Sequence, residues 1–178
     1  MKYVAFALII AVLSIPSQTQ QALAQSPGQN AVADPAMQDA ADVVRAIDTF
    51  FDGFARQDSL TMASVTDPGA RLVVTTFASD GTPIIRPIPM ERFLPLIANR
   101  PGAPIEETIW NRQVEVTDNL ATVWVHYNLW IGDTIDHCGR DAFQLARFPD
   151  GWKIIAVADT QRREGCVDQG LRRGVKEE

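Results

Sequence analysis

The sequence predicts an α+β fold in which helices precede a run of antiparallel strands. Residues 39–57 carry apolar side chains at the spacing of an amphipathic helix. Residues 106–117 and 120–131 read as two long strands, because only Asp118-Asn119 separates them. A second hairpin, residues 141–159, turns at Pro149-Asp150-Gly151. The predicted order is helix, short helix, two strands, helix, and then a four-strand antiparallel meander.

The first helix is predicted from a stripe of apolar residues that recur at i, i+3, i+4 and i+7. Asp39 is predicted as its N-cap, since a carboxylate there can accept hydrogen bonds from the free N–H groups of the first turn. A short second helix over residues 59–65 is stopped by Asp67-Pro68-Gly69. The stripe consists of Val43, Val44, Ile47, Phe50, Phe51 and Phe54.

Two strands and a third helix are predicted next. Residues 71–78 are rich in Val and Thr, which favour strands. Asp80-Gly81 forms a turn, and residues 82–88 form a second strand interrupted by prolines. Residues 90–98 form the third helix, with Phe93, Leu94 and Ile97 on one side.

The long hairpin has two predicted faces. Pairing across Asp118-Asn119 places Val116 opposite Ala121, Val114 opposite Val123, Arg112 opposite Val125, and Trp110 opposite Tyr127. The first face is apolar near the turn and amphipathic further out, which suits a core that opens into a pocket. It consists of Trp110, Arg112, Val114, Val116, Ala121, Val123, Val125, Tyr127 and Leu129. The other face suits solvent or an oligomer surface, and it carries Trp124, His126 and Trp130.

The N-terminus predicts export. Lys2 precedes an apolar run over residues 3–15, and the small residues Ala22 and Ala24 suit cleavage before Gln25. Residues 1–24 are therefore predicted as a signal peptide, with an uncleaved anchor as the alternative, and the protein as periplasmic or secreted. Residues 25–38 are predicted as a flexible linker, 39–167 as one domain, and 168–178 as a charged tail. After signal cleavage no membrane partner is expected.

The predicted export bears on the chemistry of the two cysteines, Cys138 and Cys166. They bracket the closing hairpin, and in an oxidising compartment such a pair predicts a disulfide. If Phe148 pairs with Trp152, Cys138 falls opposite Arg162, four residues short of Cys166. The alternative is a metal site formed by His137 and both cysteines, but the chain lacks the short paired spacing of zinc ligands, so no metal is predicted.

The charge balance narrows the class of partner. The net charge is −6 and no basic run stands out, which argues against nucleic acid and anionic membrane surfaces. No glycine-rich phosphate loop and no Ser/His/Asp order is present, so no cofactor is predicted.

The order of elements and several short motifs resemble the nuclear transport factor 2-like superfamily, and in particular its exported bacterial members related to lumazine-binding and polyketide-cyclase-type proteins. The motifs are Ala121-Thr-Val-Trp-Val-His-Tyr, His137-Cys-Gly, Phe143-Gln-Leu, Asp150-Gly-Trp-Lys-Ile and Asp159-Thr, and the resemblance covers residues 39–166. It implies a cone-shaped α+β barrel, in which a curved antiparallel sheet wraps around N-terminal helices and leaves a pocket at the open end. It also implies a homodimer through the convex sheet face, which here carries Trp124 and Trp130.

The superfamily includes both enzymes and binding modules. Its ketosteroid-isomerase-type members use a tyrosine on the first helix and an aspartate after the first strand. Phe50 and Val74-Thr75 occupy those places here, so a steroid-isomerase mechanism is not expected.

Two functional hypotheses therefore remain. The first is a non-catalytic module that binds a small apolar or aromatic ligand, or dimerises. Its predicted ligand-binding residues are Trp110, Arg112, Tyr127, Leu129, Phe50 and Phe54. The second is a lyase- or isomerase-type enzyme acting on a small, partly apolar substrate, with Tyr127, Arg112, Asp48 and His137 as candidate catalytic residues. Asp141 and Asp159 lie at the open end of the last hairpin. Two roles are possible for them: hydrogen bonds to neighbouring arginines, or a place in the lining of the pocket mouth.

Overall fold

The computed structural model of this protein describes residues 35–172. The predicted signal peptide and the linker up to residue 34 lie outside these residues. The described part contains helices α1 (Pro35–Ala55), α2 (Ser59–Ser64) and α3 (Met90–Ala98). Its strands are β1 (Thr66–Phe77), β2 (Pro83–Pro89), β3 (Ile105–Thr117), β4 (Leu120–Ile131), β5 (Thr134–Phe148) and β6 (Gly151–Thr160). No helix of the described part is long and apolar enough to cross a membrane.

Helix α1 begins earlier than predicted. It starts at Pro35, inside the predicted linker, where a proline is tolerated because the first-turn N–H groups have no partner within the helix. Asp39 therefore lies within the helix, and its prediction as N-cap is wrong. Its carboxylate instead forms an ion pair with Arg147 of β5, which ties the start of α1 to the sheet.

The sheet has the order β2-β1-β6-β5-β4-β3. The predicted α+β class and the antiparallel meander from β3 to β6 are confirmed. The sheet is not entirely antiparallel, however, because β1 lies beside β6 and runs parallel to it. This pairing brings the N-terminal and C-terminal strands together in the centre of the sheet, which makes it mixed.

The core lies between α1 and one face of the sheet. Val43, Ile47 and Phe50 of α1 are buried there. The ring of Phe51 meets that of Phe143 edge to face, with centroids 5.7 Å apart. The apolar stripe of the predicted helix is thus the face that the sheet covers.

A bulge in β3 changes the predicted register. Val116 lies opposite Ala121 and Val114 opposite Val123, as predicted. The register then shifts between Trp110 and Gln113, where Asn111 has a φ of 53°. The predicted partners of Arg112 and Trp110 are therefore wrong. Trp110 lies opposite His126 on the outer face.

The predicted disulfide between Cys138 and Cys166 is present, with Cα atoms 5.7 Å apart. Cys138 pairs with Arg162, as predicted, but the predicted pairing of Phe148 with Trp152 is wrong. Trp152 lies opposite Arg147, and a register shift between Gln144 and Leu145 restores the predicted register further from the turn. A turn with Gly165 at a φ of 68° closes the remaining gap to Cys166. Because the two sulfurs are bonded to each other, the alternative of a metal site with both cysteines is wrong.

The segment after β6 packs on the outer face of the sheet. Asn128 Nδ2 donates to the carbonyl of Val167 at 2.9 Å. The guanidinium of Arg172 lies 4.5 Å from the ring centroid of Trp130 and donates to the Gly132 carbonyl at 2.8 Å. The beginning of the predicted tail is therefore part of the domain.

Candidate acid–base site

A cavity of about 350 Å³ lies between the helices and the inner face of the sheet. This volume is within the range of small-molecule sites, and apolar side chains form most of the wall. Leu129, Phe50 and Phe54, three of the predicted ligand-binding residues, line it. The rest of its apolar wall includes Phe51, Leu72, Val74, Ile88, Met90, Phe93, Leu96, Ile97, Ile105, Ile131, Phe143 and Val157.

Carboxyl groups from different strands converge at one part of this wall. Asp141 of β5 and Asp159 of β6 are directly paired across the two strands, and both line the cavity with Glu107 of β3. Asp141 lies two residues before Phe143 on β5, and Asp159 lies two residues after Val157 on β6. Side chains two residues apart on a strand point to the same face, so both carboxyl groups face the core. Antiparallel pairing of β3, β4 and β5 brings Glu107 beside them.

Burial keeps these carboxyl groups protonated more easily than in water. Burial raises the pKa of Asp141 to about 8; the hydrogen bond with Glu107 opposes this rise, and the neighbouring Asp159 charge adds to it. Burial, together with the nearby Asp141, raises the pKa of Glu107 well above its usual value. The pKa of Asp159 is raised mainly by burial. At neutral pH Asp141 can therefore hold a proton that it donates to a ligand.

Two carboxyl oxygens in this cluster lack a hydrogen-bond partner. Asp159 Oδ2 accepts from Gln161 Nε2 at 2.9 Å. Asp159 Oδ1 and Asp141 Oδ2 are buried and have no partner within residues 35–172. Buried polar atoms are rarely left unpaired, so both atoms are suited to a polar group of a bound molecule.

His137 contributes a basic group to the same cavity. Its Nδ1 lies 2.7 Å from Asp136 Oδ2, and Asp136 Oδ1 accepts from Arg163 Nη1 at 2.7 Å. The hydrogen bonds from His137 and Arg163 lower the pKa of Asp136, so this carboxylate is ionised and only accepts. Nδ1 must therefore carry the hydrogen, and Nε2 of the neutral ring is left with the lone pair.

Tyr127 has a structural contact rather than a free hydroxyl. Its hydroxyl donates to the backbone carbonyl of Thr160 at 2.9 Å, and its ring meets that of His137 edge to face. Burial, with the nearby carboxylates, raises its pKa. The neighbouring Gly139 has no space for a side chain, since a Cβ there would lie 1.7 Å from the Thr160 carbonyl oxygen. Tyr127 therefore helps to hold His137 and the end of β6 in place.

The other predicted candidates lie away from the cavity. Arg112 forms an ion pair with Asp48 of α1 at the partly exposed rim of the sheet, so these two neutralise each other. Trp110 packs against His126 on the outer face, because the bulge in β3 turned it away from the core. Phe50 and Val74, at the places of the isomerase acid and base, do line the cavity, but neither carries a titratable group.

Sequence reasoning missed Glu107, and it left Asp141 and Asp159 open between contacts with nearby arginines and a place at the pocket mouth; the structure puts both aspartates in the cavity wall. A signal was present, since Asp141 alternates with the core residues Phe143 and Leu145 along β5. What the sequence did not contain was the β3 bulge, which gives Glu107 rather than Trp110 an inward position. Within the described residues, no group of His, Cys, Asp and Glu side chains is arranged to hold a metal ion.

No protein-family model and no curated protein matches the chain. Solved structures do match it by fold. A protein of unknown function from Shewanella baltica, described as nuclear transport factor 2-like, is 14% identical, with a TM-score of 0.55 over 72% of this chain and 98% of that one. A proposed dehydratase of the same family from Streptomyces avermitilis is 18% identical, with a TM-score of 0.53 over 71% and 98%.

A third similar structure is a proposed aromatic ring hydroxylase from Novosphingobium aromaticivorans. It is 13% identical, with a TM-score of 0.54 over 70% of this chain and 90% of that one. Identities this low define the fold and not the activity. The comparison therefore shows that this chain has the fold of nuclear transport factor 2-like proteins.

Proposed function

We propose that this protein is an acid–base enzyme of the lyase or isomerase class, acting on a small and partly apolar substrate inside the cavity. The observation that carries the proposal is the pair of buried, unpartnered carboxyl oxygens of Asp141 and Asp159 beside His137. A site that only binds apolar molecules has no need of such costly groups. Perturbed carboxyl groups in an apolar cavity are typical of acid–base sites.

The two kinds of group suit opposite roles. His137 Nε2 is the base that removes a proton from the substrate, and Asp136 stabilises the imidazolium that forms. Asp141, protonated because it is buried, donates to the oxygen on which negative charge develops. Asp159, oriented by Gln161, assists as a second carboxyl at the same place. Apolar side chains exclude water and strengthen these interactions.

The second candidate function is a ligand-binding module without catalysis. The mostly apolar wall of the cavity favours it, since such a wall binds a hydrophobic molecule without any chemistry. This hypothesis predicts tight binding of apolar molecules that is unaffected by removal of the acid and base.

We also propose that the protein is exported to the periplasm or secreted. The predicted signal peptide and the Cys138–Cys166 disulfide support this location, because disulfides persist in oxidising compartments.

A neutral probe can test for the base and the acid without knowledge of the substrate. In 5-nitrobenzisoxazole, removal of the C3 proton turns the C–H electron pair into a nitrile bond while the N–O bond breaks, which releases a coloured cyanophenolate. We expect wild-type protein to catalyse this elimination. His137→Gln and Asp141→Asn should each lower the rate by roughly 100-fold or more, as loss of one acid or base group does.

Glu115→Gln is the matched control, because it removes a carboxylate from an exposed position on the outer side of β3. It should leave the rate unchanged. Binding of the probe without elimination would overturn the enzyme proposal in favour of the binding module. Equal rates for wild type, His137→Gln and Asp141→Asn would do the same.

A further inference from the structure

The polar part of the cavity adjoins a second cleft of about 640 Å³. Arg86, His137 and Gln161 line both, so they stand where the two meet. The outer cleft is also lined by Arg162, Arg163 and Glu164, which do not reach the inner cavity. A molecule that reaches His137 through this cleft must pass these side chains.

This cleft is basic although the whole chain is acidic. Three arginines line it, whereas the net charge of the chain is −6. Arg163 is occupied, since it donates to Asp136. Within residues 35–172, neither Arg86 nor Arg162 has an ion-pair partner. Two guanidinium groups are thus available to an anion at the junction and just outside it.

The backbone directs Arg86 to the cavity. Arg86 is paired with Val74 across β1 and β2, and Val74 is buried in the cavity wall. The two side chains therefore share the inner face of the sheet, although Arg86 lies on the exposed edge strand. Its charge is also close enough to Asp159 to lower the pKa of that carboxyl against the effect of burial.

From this arrangement we infer that the substrate is an apolar carboxylic acid, whose carboxylate is bound by Arg86 with help from Arg162 while its hydrocarbon part occupies the aromatic cavity. A guanidinium matches a carboxylate with two parallel hydrogen bonds. The protonated state of the buried acids is compatible with this, because Asp141 and Glu107 then add no negative charge beside the ligand. The inference rests on the proposed function in that it names the substrate class of the same site.

The test compares two probes of nearly the same shape, the anion 2-naphthoate and the neutral 2-naphthamide, by titration calorimetry with the full chain at pH 7 and low salt. We expect wild-type protein to bind 2-naphthoate roughly tenfold more tightly than 2-naphthamide. Arg86→Gln should remove most of this preference. Arg86→Lys should restore part of it, because it keeps the charge but loses the planar pair of donors.

Arg71→Gln is the matched control. Arg71 is an exposed arginine on the neighbouring strand β1 that lines neither cavity, so its removal should keep the wild-type preference. Equal binding of the two probes by wild type, no binding of either, or the same loss in Arg71→Gln and Arg86→Gln would each overturn the inference. Failure of the elimination assay with an intact naphthoate preference would overturn only the proposed chemistry. Elimination without that preference would overturn only the substrate class.

Discussion

Asp141 illustrates how position changes the chemistry of one residue. On a surface strand an aspartate is ionised at neutral pH and contributes little. Here it is 4% exposed, lies opposite Asp159, and has Glu107 as its other acidic neighbour. Burial and the charge of Asp159 disfavour the charged form of Asp141 more than the hydrogen bond with Glu107 favours it, and the result is a proton held in an apolar cavity. The same burial must also make folding depend on pH.

We predict that Asp141→Asn makes the protein less sensitive to alkaline pH. The pKa of Asp141 is raised to about 8 in the folded protein, and that of an unfolded chain is about 4. The folded state therefore binds the extra proton, and its stabilising effect is present at low pH and lost as pH rises toward 8. Asparagine resembles the protonated acid and has no such loss.

Thermal unfolding at pH 5 and pH 8.5 measures this effect. The difference in Tm between the two pH values should be smaller in Asp141→Asn than in wild type by roughly 3 °C or more, which is on the order of 1 kcal/mol for a domain of this size. Glu115→Gln should behave like wild type. Parallel pH profiles for Asp141→Asn and wild type would contradict the burial of a protonated acid.

At the scale of elements, the closing hairpin and the segment after it determine the position of His137. Strand β5 extends to Thr134, so His137 lies within the sheet and not in a loop. The disulfide at Cys138 holds the segment that carries Arg163, and Arg163 in turn binds Asp136. The cross-link therefore affects both the stability of the domain and the orientation of the proposed base.

Replacement of both cysteines by serine should destabilise the domain by roughly 3 kcal/mol, because the bond closes a long loop in the unfolded chain. The two cysteines are 28 residues apart in sequence. Denaturant unfolding of wild type with and without a reductant, beside the double variant, measures the loss. Reduced wild type should match the double variant, and the double variant should be insensitive to the reductant. A double variant as stable as the oxidised wild type would contradict this role of the disulfide.

At the scale of the whole molecule, the outer face of the sheet has one part that the C-terminal segment covers and another part that is exposed. Trp130 is only 5% exposed because the segment that carries Arg172 covers it, so it is not available to a second protein chain. Trp124 is 44% exposed, and Phe77 and Ile85 are also exposed. A homodimer through this face remains a prediction, and we propose that Trp124 rather than Trp130 takes part in it.

Light scattering after size exclusion tests this prediction. We expect wild type to run as a dimer and Trp124→Glu as a monomer, since a charge at the centre of an apolar interface is costly. Leu60→Glu is the control, because Leu60 is an exposed leucine of α2 that lies away from the sheet, and this variant should stay dimeric. A monomeric wild type, or a Trp124→Glu variant that remains dimeric, would contradict the predicted interface.

Local sequence patterns were sufficient to predict most helices and strands and some of the residues that line the cavity. Helix α3 and strand β4 have the predicted bounds, and Phe50, Phe54 and Leu129 line the cavity as expected. These predictions succeeded because helix and strand periodicity acts over a few residues. Trp110 was misplaced because one bulge reverses the facing of the residues beyond it. Arg112 lies away from the cavity for another reason, since its guanidinium binds Asp48 of α1 at the rim.

The sequence by itself determined the α+β class, the meander and the disulfide, since each depends on alternation, turn residues or two cysteines in one hairpin. The tertiary structure alone decided the chemistry. Asp141 and Asp159 face each other across the closing hairpin, but Glu107 lies on β3, much earlier in the sequence. Each carboxyl is ordinary until the sheet brings all three into one apolar cavity. Their raised pKa values come chiefly from shared burial, to which the charge of Asp159 adds at Asp141 and at Glu107, and burial of this kind is a property of the packed strands and not of any residue alone.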